Sequence, residues 1–408
     1  MLKKISVDQL TTGMFLNELC GSWMEHPFWK TRFLLKKPGD VERIRSCGIR
    51  EVWIDTSQGA DVPVGETTEA RAEVEQRTEA ALITAVTAPD PKPQRVAIDV
   101  EVARAAKICA KARTAVVAMF REARMGTAVS LQEAEPLVEE ISGSVMRNPG
   151  ALVSLARLKT KDDYTYMHSV AVCGLMIALA RQLGLAGDVV RDLGMAGLLH
   201  DLGKARIPDK ILNKPGKLTD AEFARVKSHP EEGHRMLVEG GAVGDIPLDV
   251  CLHHHEKVDG SGYPHRLSAE AISLYAKMGA ICDVYDAITS DRPYKQGWDP
   301  GEAIRKMTEW ANGHFDMQVF HAFVKCIGIY PIGSLVRLQS DRLAVVVEQH
   351  PHALLAPVVK VFYCARSRSP IMPAIVDLAA ESARDKIKRW ESPTEWGFTN
   401  LGATALAV

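Results

Sequence analysis

The sequence predicts a multidomain protein in which a central all-α domain follows a small α+β domain and precedes a small β-rich appendage. Three observations support this fold class. The chain has 408 residues, more than a single core usually holds. Apolar residues between 150 and 330 recur with the period of helices, and short apolar runs separated by turn residues lie on both sides of them. We expect domains at residues 1–135, 150–330 and 331–408.

The composition is that of a globular protein without a strong overall electric field. Hydrophobic residues make up 46% of the chain, charged residues 25%, and the net charge is −1. Such a chain has no general attraction to nucleic-acid polymers or anionic membrane surfaces. The longest apolar run, at 170–180, is too short for a membrane span. We therefore expect a cytoplasmic protein that binds no nucleic-acid polymer.

The first domain is predicted from short apolar runs that alternate with turns. Strands are expected at 5–7, 14–16, 33–35 and 52–54, with a helix at 40–46. A polar, proline-rich stretch at about 57–97 predicts a linker, although 69–87 also fits a helix. Two longer helices are expected at 98–124 and 131–146. They suit a sensor or dimer contact and suit equally a cap on the next domain.

The central domain is predicted to be helical almost throughout. The expected helices cover residues 169–183, 189–202, 219–239, 247–255, 268–289, 300–310 and 317–327. The spacing of Thr219 and Glu222 is that of a capping box at a helix start. After residue 331, runs at 333–338, 344–347 and 358–363 predict strands. We assign this appendage no chemistry.

Histidines and carboxylates are concentrated in the central domain. Eight of the thirteen histidines lie between His168 and His265, and such clustering is the usual mark of a metal site. In His200-Asp201 an imidazole adjoins a carboxylate whose two oxygens can bridge two metals. The candidate ligands are His168, His200, Asp201, His229, His254, His255 and Asp283. A set rich in imidazole suits iron or manganese better than magnesium or calcium.

The chemistry that fits this cluster is phosphodiester hydrolysis. Two metals about 3.5–4 Å apart can hold a phosphoryl oxygen and activate water. Lys204 follows Asp201 by about one helical turn and can place positive charge on the phosphate. A P-loop is excluded because Ala205 follows Lys204, where serine or threonine is needed. A zincin site is excluded because its second histidine would fall at Asp259.

The order of these motifs resembles the HD-GYP family. That family is a subgroup of the HD metal-dependent phosphohydrolases and hydrolyses the bacterial second messenger cyclic di-GMP. The resemblance covers about residues 150–330 and is carried by His200-Asp201, Lys204, His254-His255-Glu256 and Asp259-Gly260-Ser261-Gly262-Tyr263-Pro264. It implies an all-α HD-type domain, the seven metal ligands named above, two divalent transition metals, and hydrolysis of cyclic di-GMP to pGpG, with further cleavage to GMP left open.

The resemblance also implies roles for residues around the ligands. Asp201 and Lys204 would be catalytic. Substrate contacts would come from Gly262, Tyr263, Pro264, Arg292 and Lys295, and Asp286 would support the site. Glu256 either orients a ligand histidine or is simply part of the turn, and we favour the first role.

One position departs from part of the family. Some members carry a glutamate four residues before the first histidine, where it helps to bind a third metal. Here that position is Tyr164, and Asp162 and Asp163 are out of register. We therefore expect two metals rather than three.

The N-terminal region, around Met14 and residues 52–55, resembles an uncharacterised domain often found ahead of HD-GYP domains, which implies a regulatory role. Two alternatives to the enzyme are a protein that senses cyclic di-GMP or contacts signalling proteins without efficient turnover, and a phosphohydrolase for another cyclic dinucleotide. Because all seven ligands are present, the sequence favours the enzyme. A homodimer, the input signal and the metal identity are left open.

Overall fold

The expected fold class is confirmed by a computed structural model of the chain. It describes residues 2–20, 32–63, 68–86, 96, 98–126, 134–157, 164–214, 216–241, 243–290, 297–350, 353–398 and 401; at 72, 79, 81–86, 99, 157, 164 and 312 only the backbone is described. Within these ranges a sheet-containing N-terminal part is followed by a helical domain and a small C-terminal sheet.

The N-terminal part is an antiparallel sheet with one short helix. Its strands are β1 (Leu2–Ser6), β2 (Phe15–Cys20), β3 (Phe33–Leu34), β4 (Glu51–Asp55) and β5 (Glu69–Ala70), in the order β3-β2-β4-β1-β5. Helix α1 (Pro38–Arg45) buries Val41 and Ile44. These two side chains join Leu16, Val52 and Ile54 in an apolar core that belongs to this part alone.

Three helices lead from this sheet to the helical domain. They are α2 (Arg71–Val86), α3 (Ile98–Met125) and α4 (Ala134–Arg147). The buried faces of α3 and α4, with Val116, Leu137 and Ile141, belong to the core of the helical domain. The sequence left two roles open for α3 and α4, a sensor or dimer contact and a cap on the next domain. The structure shows them packed against the helical domain.

The helical domain is built around one fully buried helix. Its helices are α5 (Pro149–Arg157), α6 (Tyr164–Gln182), α7 (Gly187–Leu199), α8 (Asp209–Leu212), α9 (Asp220–Lys227), α10 (His229–Gly240), α11 (Asp245–His253), α12 (Leu274–Thr289), α13 (Pro300–His314) and α14 (Met317–Ile327). Residues 167–180 of α6 are apolar on nearly every side and all buried, so other helices surround it. Helix α5 was not expected from the sequence.

The prediction of a single helix at 219–239 is wrong, because two helices occupy this stretch. Thr219 caps α9 through a capping box with Glu222, and α9 ends before Ser228. Helix α10 then begins at His229, with Pro230 in its first turn. Proline has no N–H to donate and is tolerated in the first turn of a helix but not inside one. His229 is therefore at a helix start and not in mid-helix.

Two other helix bounds differ from expectation near the site. Helix α7 ends at Leu199, so His200 and Asp201 lie just beyond it, followed by a 3-10 turn at Leu202–Arg206. Helix α12 begins at Leu274, where the Ser273 hydroxyl accepts the N–H of Ala276. The start of α12 follows from this capping contact, which apolar periodicity does not report.

The C-terminal sheet packs on the helical domain. Its strands are β6 (Leu335–Leu338), β7 (Arg342–Glu348), β8 (Val358–Cys364), β9 (Ser369–Asp377) and β10 (Ile387–Trp390), in the order β10-β6-β7-β8-β9, and α15 (Pro393–Trp396) follows. The indole N–H of Trp390 donates to Asp299, the residue that caps the start of α13, at 2.9 Å. The sheet and the helices share one apolar core.

None of the helices in the described ranges combines the length and the apolar character that a bilayer crossing needs.

The N-terminal sheet contacts α13 through charged side chains. The ammonium group of Lys306 lies 2.9 Å from a Glu18 oxygen of β2 and 3.5 Å from Glu309. Glu302 lies on the same helix and is partly buried. Burial, and then the negative charge of Asp299, raises the pKa of Glu302 to about 7.

We expect Glu302→Gln to stabilise the protein at alkaline pH. The folded-state pKa of Glu302, about 7, lies above the value of an unfolded glutamate, about 4.3. The stabilisation that protonated Glu302 gives is therefore fully present below pH of about 4 and is lost as pH rises through about 7. Its upper limit is about 4 kcal/mol, at roughly 1.4 kcal/mol per pKa unit. The free energy of unfolding, measured with denaturant, should fall less between pH 5 and pH 8 in the variant than in the wild type. Glu381→Gln, at an exposed site, is the control, and equal pH slopes in wild type and Glu302→Gln would contradict the assignment.

Candidate metal centre

The seven candidate ligands come from five separate segments and meet in one cluster. His168 comes from α6, His200 and Asp201 from the end of α7, His229 from the start of α10, and Asp283 from α12; His254 and His255 follow α11. Six are buried and His255 is partly exposed. Groups of three with ligand atoms within 4.8 Å are His168/His200/Asp283, His200/Asp201/His254 and His229/His254/His255.

One group lies around the Oδ2 oxygen of Asp201. The Nε2 atom of His168 is 3.6 Å from this oxygen, and that of His200 is 3.5 Å from it. The same two ring nitrogens are 2.9 Å and 3.9 Å from the Oδ1 oxygen of Asp283. Two imidazoles and two carboxylates therefore surround one point.

The second group lies around the other oxygen of Asp201. The Nε2 atoms of His229 and His254 are 3.2 Å and 3.9 Å from Oδ1 and 3.2 Å from each other. The Nδ1 atom of His255 is 3.7 Å from the Oδ2 oxygen of Asp283. Each oxygen of Asp201 thus faces a different pair of histidines, an arrangement that suits a carboxylate bridging two metals.

The other ring nitrogens set the orientation of four histidines. The Nδ1 atoms of His200 and His229 hydrogen-bond to the backbone carbonyls of Gly197 and Val226, at 2.8 and 2.7 Å. The Nδ1 atom of His254 contacts the backbone carbonyls of Val250 and Cys251, both at 3.0 Å. The Nδ1 atom of His168 contacts the Asp286 carboxylate at 2.6 Å. Because Nδ1 donates its proton outward, the Nε2 lone pair points into the cluster. Asp286 therefore lies where the sequence interpretation places a supporting residue.

Gly203 lets the turn after Asp201 lie directly against the start of α10, which carries His229. Gly203 lies in the 3-10 turn after Asp201, and a Cβ atom there would be 1.9 Å from the carbonyl oxygen of His229 and 2.5 Å from the N atom of Gly233. Only glycine lets this turn lie against the start of α10. Sequence reasoning missed this role, because the contact joins segments that are distant along the chain.

The ionisation of the cluster suits a cation. Burial, with the neighbouring His200 and His229, lowers the pKa of His254 to about 3, and burial with His254 holds the pKa of His255 well below its usual range. Burial alone would raise the pKa of Asp201, but Lys204 and His200 outweigh it and hold that pKa well below the usual range. At neutral pH these rings offer lone pairs and the carboxylate is charged.

Buried polar atoms that have no hydrogen-bond partner indicate whether the cluster suits a metal ion. His200 Nε2, Asp201 Oδ1 and His255 Nε2 are buried and have no hydrogen-bond partner. His229 Nε2 does approach Asp201 Oδ1, but the His229 proton is on Nδ1, where it meets the carbonyl of Val226. Buried lone pairs without a donor are costly. Nitrogen and carboxylate donors that converge in this way fit transition-metal ions.

Lys204 forms an ion pair with the Oδ2 oxygen of Asp201. Its side chain is about one-fifth exposed, at 21% relative accessibility, whereas Asp201 is at 1%. The ammonium group therefore lies between the buried cluster and solvent, where a phosphate can reach it.

The loop that carries Gly262, Tyr263 and Pro264 covers the side of His255. The Tyr263 ring stacks on the His255 ring with 4.7 Å between centroids, and the Tyr263 N–H donates to the His255 carbonyl at 3.2 Å. A Cβ atom at Gly262 would lie 2.5 Å from the Cα atom of Glu256. Any side chain at Gly262 would therefore push the loop away from the cluster.

Glu256 holds this loop. Its carboxylate accepts the backbone N–H groups of residues 265, 266 and 267 at 2.7, 3.0 and 3.0 Å. These bonds differ from the expected contact with a ligand histidine, because the side chain points to the loop. Sequence spacing places Glu256 next to the ligands and cannot tell on which side its carboxylate lies.

Several predicted residues lie outside the described part of the chain. These are Arg292 and Lys295 of the expected substrate site, and Asp162 and Asp163. Tyr164 begins α6, but its side chain is not described. The expected substrate contacts of Arg292 and Lys295, and the expected number of metals, therefore stay predictions.

Comparisons with known proteins give two family matches. Residues 148–319 match the HD domain family, and residues 2–134 match a domain of unknown function, DUF3391. The second match confirms the expected uncharacterised N-terminal domain.

Curated relatives match over different lengths. Cyclic di-GMP phosphodiesterase PA4108 of Pseudomonas aeruginosa is 57% identical over 403 residues, which cover 98% of this chain and 95% of that protein. Cyclic di-GMP phosphodiesterase response regulator RpfG of Xanthomonas campestris is 41% identical over 38% of this chain and 40% of its own length. 3'3'-cGAMP-specific phosphodiesterase 1 of Vibrio cholerae is 38% identical over 40% of this chain and 38% of its own length.

Among solved structures, Bd1817, an HDG"Y"P protein from Bdellovibrio bacteriovorus, aligns with 79% of this chain and 98% of its own. The TM-score is 0.46 and the identity 18%, so this likeness carries no argument about the site.

We expect Gly203→Ala to destabilise the protein by about 3 kcal/mol and to weaken metal binding, because the added methyl group would displace His229. Gly240→Ala is the matched control, since Gly240 is near the end of α10 with no atom within 4 Å of its added Cβ. Denaturant unfolding and metal titration should separate the two variants. Gly203→Ala with the stability and metal affinity of Gly240→Ala would contradict the assigned contact.

Proposed function

Since this chain belongs to the HD-GYP family of metal-dependent phosphodiesterases, we propose that it hydrolyses cyclic di-GMP, opening the ring to linear pGpG at a centre that holds two metals. The substrate is supported by a relative that matches over nearly the whole chain and is named a cyclic di-GMP phosphodiesterase. The observation that carries the two-metal centre is the division of the ligands around Asp201, whose two oxygens face different histidines.

The donor set supports iron or manganese as the metals. His168, His200 and Asp283 would hold one ion and His229, His254 and His255 the other, with Asp201 shared between them. Imidazole-rich sites with carboxylates suit these ions. When bound, the two metals would supply water activation and positive charge for the phosphoryl oxygens.

The side chains of this protein would orient the substrate and compensate its charge. Lys204 would leave its ion pair with Asp201 to contact the phosphoryl oxygens, where negative charge grows in the transition state. Tyr263, whose ring stacks on His255 and has the ammonium group of Lys227 5.2 Å from its centroid, is proposed as a substrate contact from the resemblance. Arg292 and Lys295 are proposed as further phosphate or guanine contacts from the resemblance alone. Asp286 would keep the His168 ring in its orientation.

Other cyclic dinucleotides are the second candidate substrates. A relative that matches 40% of this chain is named 3'3'-cGAMP-specific. A first assay should therefore offer cyclic di-GMP and 3'3'-cGAMP separately to anaerobic protein loaded with iron(II) or manganese(II), with products resolved by chromatography. Preferential conversion of cyclic di-GMP to pGpG supports the proposal. Preferential conversion of 3'3'-cGAMP would overturn the substrate, and binding without turnover would favour a sensor.

We expect Asp201→Ala to abolish turnover and to lower the metal content from two per chain, because both ions lose their shared ligand. The helical fold should be kept. Elemental analysis, circular dichroism and the assay above measure the three properties. Asp188→Ala, an exposed site on α7, should leave all three unchanged. One or three metals in the wild type, or near-normal activity in Asp201→Ala, would contradict the two-metal assignment.

We expect Lys204→Met to lower kcat by roughly 100-fold while two metals stay bound, because the variant keeps the aliphatic stem and loses the charge. Lys210→Met, on the exposed side of α8, controls for the loss of a positive charge nearby. Unchanged kcat would show that Lys204 takes no part in the reaction. Loss of metal would show that Lys204 acts by supporting Asp201.

A further inference from the structure

An arginine of the N-terminal sheet reaches the loop that carries Gly262, Tyr263 and Pro264. The guanidinium group of Arg50 lies 2.8 Å from the Oδ2 oxygen of Asp259, the residue at which this loop begins. Arg50 directly precedes β4, and its backbone carbonyl accepts the N–H of Val7 at 2.8 Å. The position of its main chain is therefore set by the sheet.

Asp259 uses its two oxygens for different contacts. Oδ1 accepts the N–H and the hydroxyl of Ser261, at 2.9 and 2.6 Å, and so shapes the first turn of the loop. Oδ2 faces Arg50. The backbone N–H of Asp259 donates to the carbonyl of Gly313, at the end of α13, at 3.1 Å. A Cβ atom at Gly313 would lie 3.3 Å from both Arg50 and Asp259, so the ion pair lies against this helix end.

The far end of the same loop is held from within the helical domain. There the Glu256 carboxylate accepts three backbone N–H groups, from residues 265–267. Tyr263 lies between the two held ends, stacked on the ligand His255. Asp259 also pairs with Ser268 across the loop, so a displacement of Asp259 acts on the residues between them, which include Tyr263.

We propose that Arg50 is a positioning residue through which the N-terminal sheet sets the placement of Tyr263 at the metal centre. When the sheet is docked, Arg50 holds Asp259 and the loop keeps its stacked form; when the sheet moves, the loop loses this contact. The proposal rests on the proposed function for the identity of the substrate, but the coupling between Arg50 and the loop does not depend on it.

The ion pair can be broken without undocking the sheet. The contact of Glu18 with Lys306, elsewhere on α13, is separate from it. Arg50 is 66% exposed and Asp259 13%, so the pair contributes little to global stability. Loss of the pair should instead change the hydrogen exchange of the loop at 259–263.

Two variants isolate the pair. Arg50→Gln removes the charge and keeps most of the side-chain length. Asp259→Asn keeps an oxygen for Ser261 and removes the charged partner of Arg50. Arg43→Gln is the control, because Arg43 is also an exposed arginine of the N-terminal part and lies in α1, away from this loop. The double variant completes a thermodynamic cycle.

The first measurement is hydrogen exchange of the peptide covering 259–263 in the full-length, metal-loaded chain. We expect about two- to fivefold faster exchange in each single variant, the range of an exposed ion pair. The double variant should be no faster than the singles, and Arg43→Gln should match the wild type. Unchanged exchange in Arg50→Gln, or additive effects in the double variant, would overturn the proposal.

The second measurement is steady-state hydrolysis of cyclic di-GMP by the same variants. We expect KM to rise about two- to fivefold with kcat nearly unchanged, because the metal ligands are intact. Faster exchange with unchanged KM would show that the loop is coupled to Arg50 but not to substrate, and would overturn the role at the centre. If the wild type hydrolyses no cyclic dinucleotide, the proposed function fails, while the exchange measurement still decides the coupling.

Discussion

The Asp201 carboxylate is the group on which the site depends, because it is shared between two sets of histidines. A buried carboxylate needs positive charge nearby, and Lys204 supplies it at one oxygen of Asp201. The fold must therefore bring the ends of α7 and α11, the start of α10, and residues within α6 and α12 to one point. Helix α6, buried on nearly all sides, gives these ends a common support. The arrangement explains why so long a stretch of chain is needed for one small cluster.

Helix ends place most of the ligands, and this is also where sequence reasoning was least accurate. The histidine and carboxylate motifs were sufficient to select the residues that the structure brings together. Periodicity could not show that α9 and α10 are separate or that α7 stops before His200. The break between α9 and α10 lies at Ser228 and Pro230, and the turn after α7 lies against the start of α10 through Gly203, a contact between distant segments. The fold class was predictable because amphipathic patterning is local, whereas α5 and the two last strands carry weaker patterns.

Side-chain direction was the other property that the sequence could not supply. Glu256 lies beside two ligand histidines in the chain, yet its carboxylate points to the backbone of the loop at 265–267. Asp286, by contrast, is one helical turn after Asp283, so both face the same side of α12, and its contact with His168 agrees with helix geometry. Arg50 has no local pattern that links it to residue 259. Contacts within one helix can be inferred from spacing, and contacts between domains cannot.

The two flanking parts differ in whether they share the core of the helices, which has a consequence for how this protein can change over generations. The N-terminal sheet has its own core and meets the helices through contacts such as Glu18 with Lys306 and the packing of Cys20 against the helical core. Because its core is separate, we expect that another domain could take its place while the helices keep their fold. The C-terminal sheet shares its core with the helices, and Trp390 caps the start of α13 through Asp299. Loss of that sheet would expose apolar surface and loosen α13, so it is inherited together with the catalytic domain.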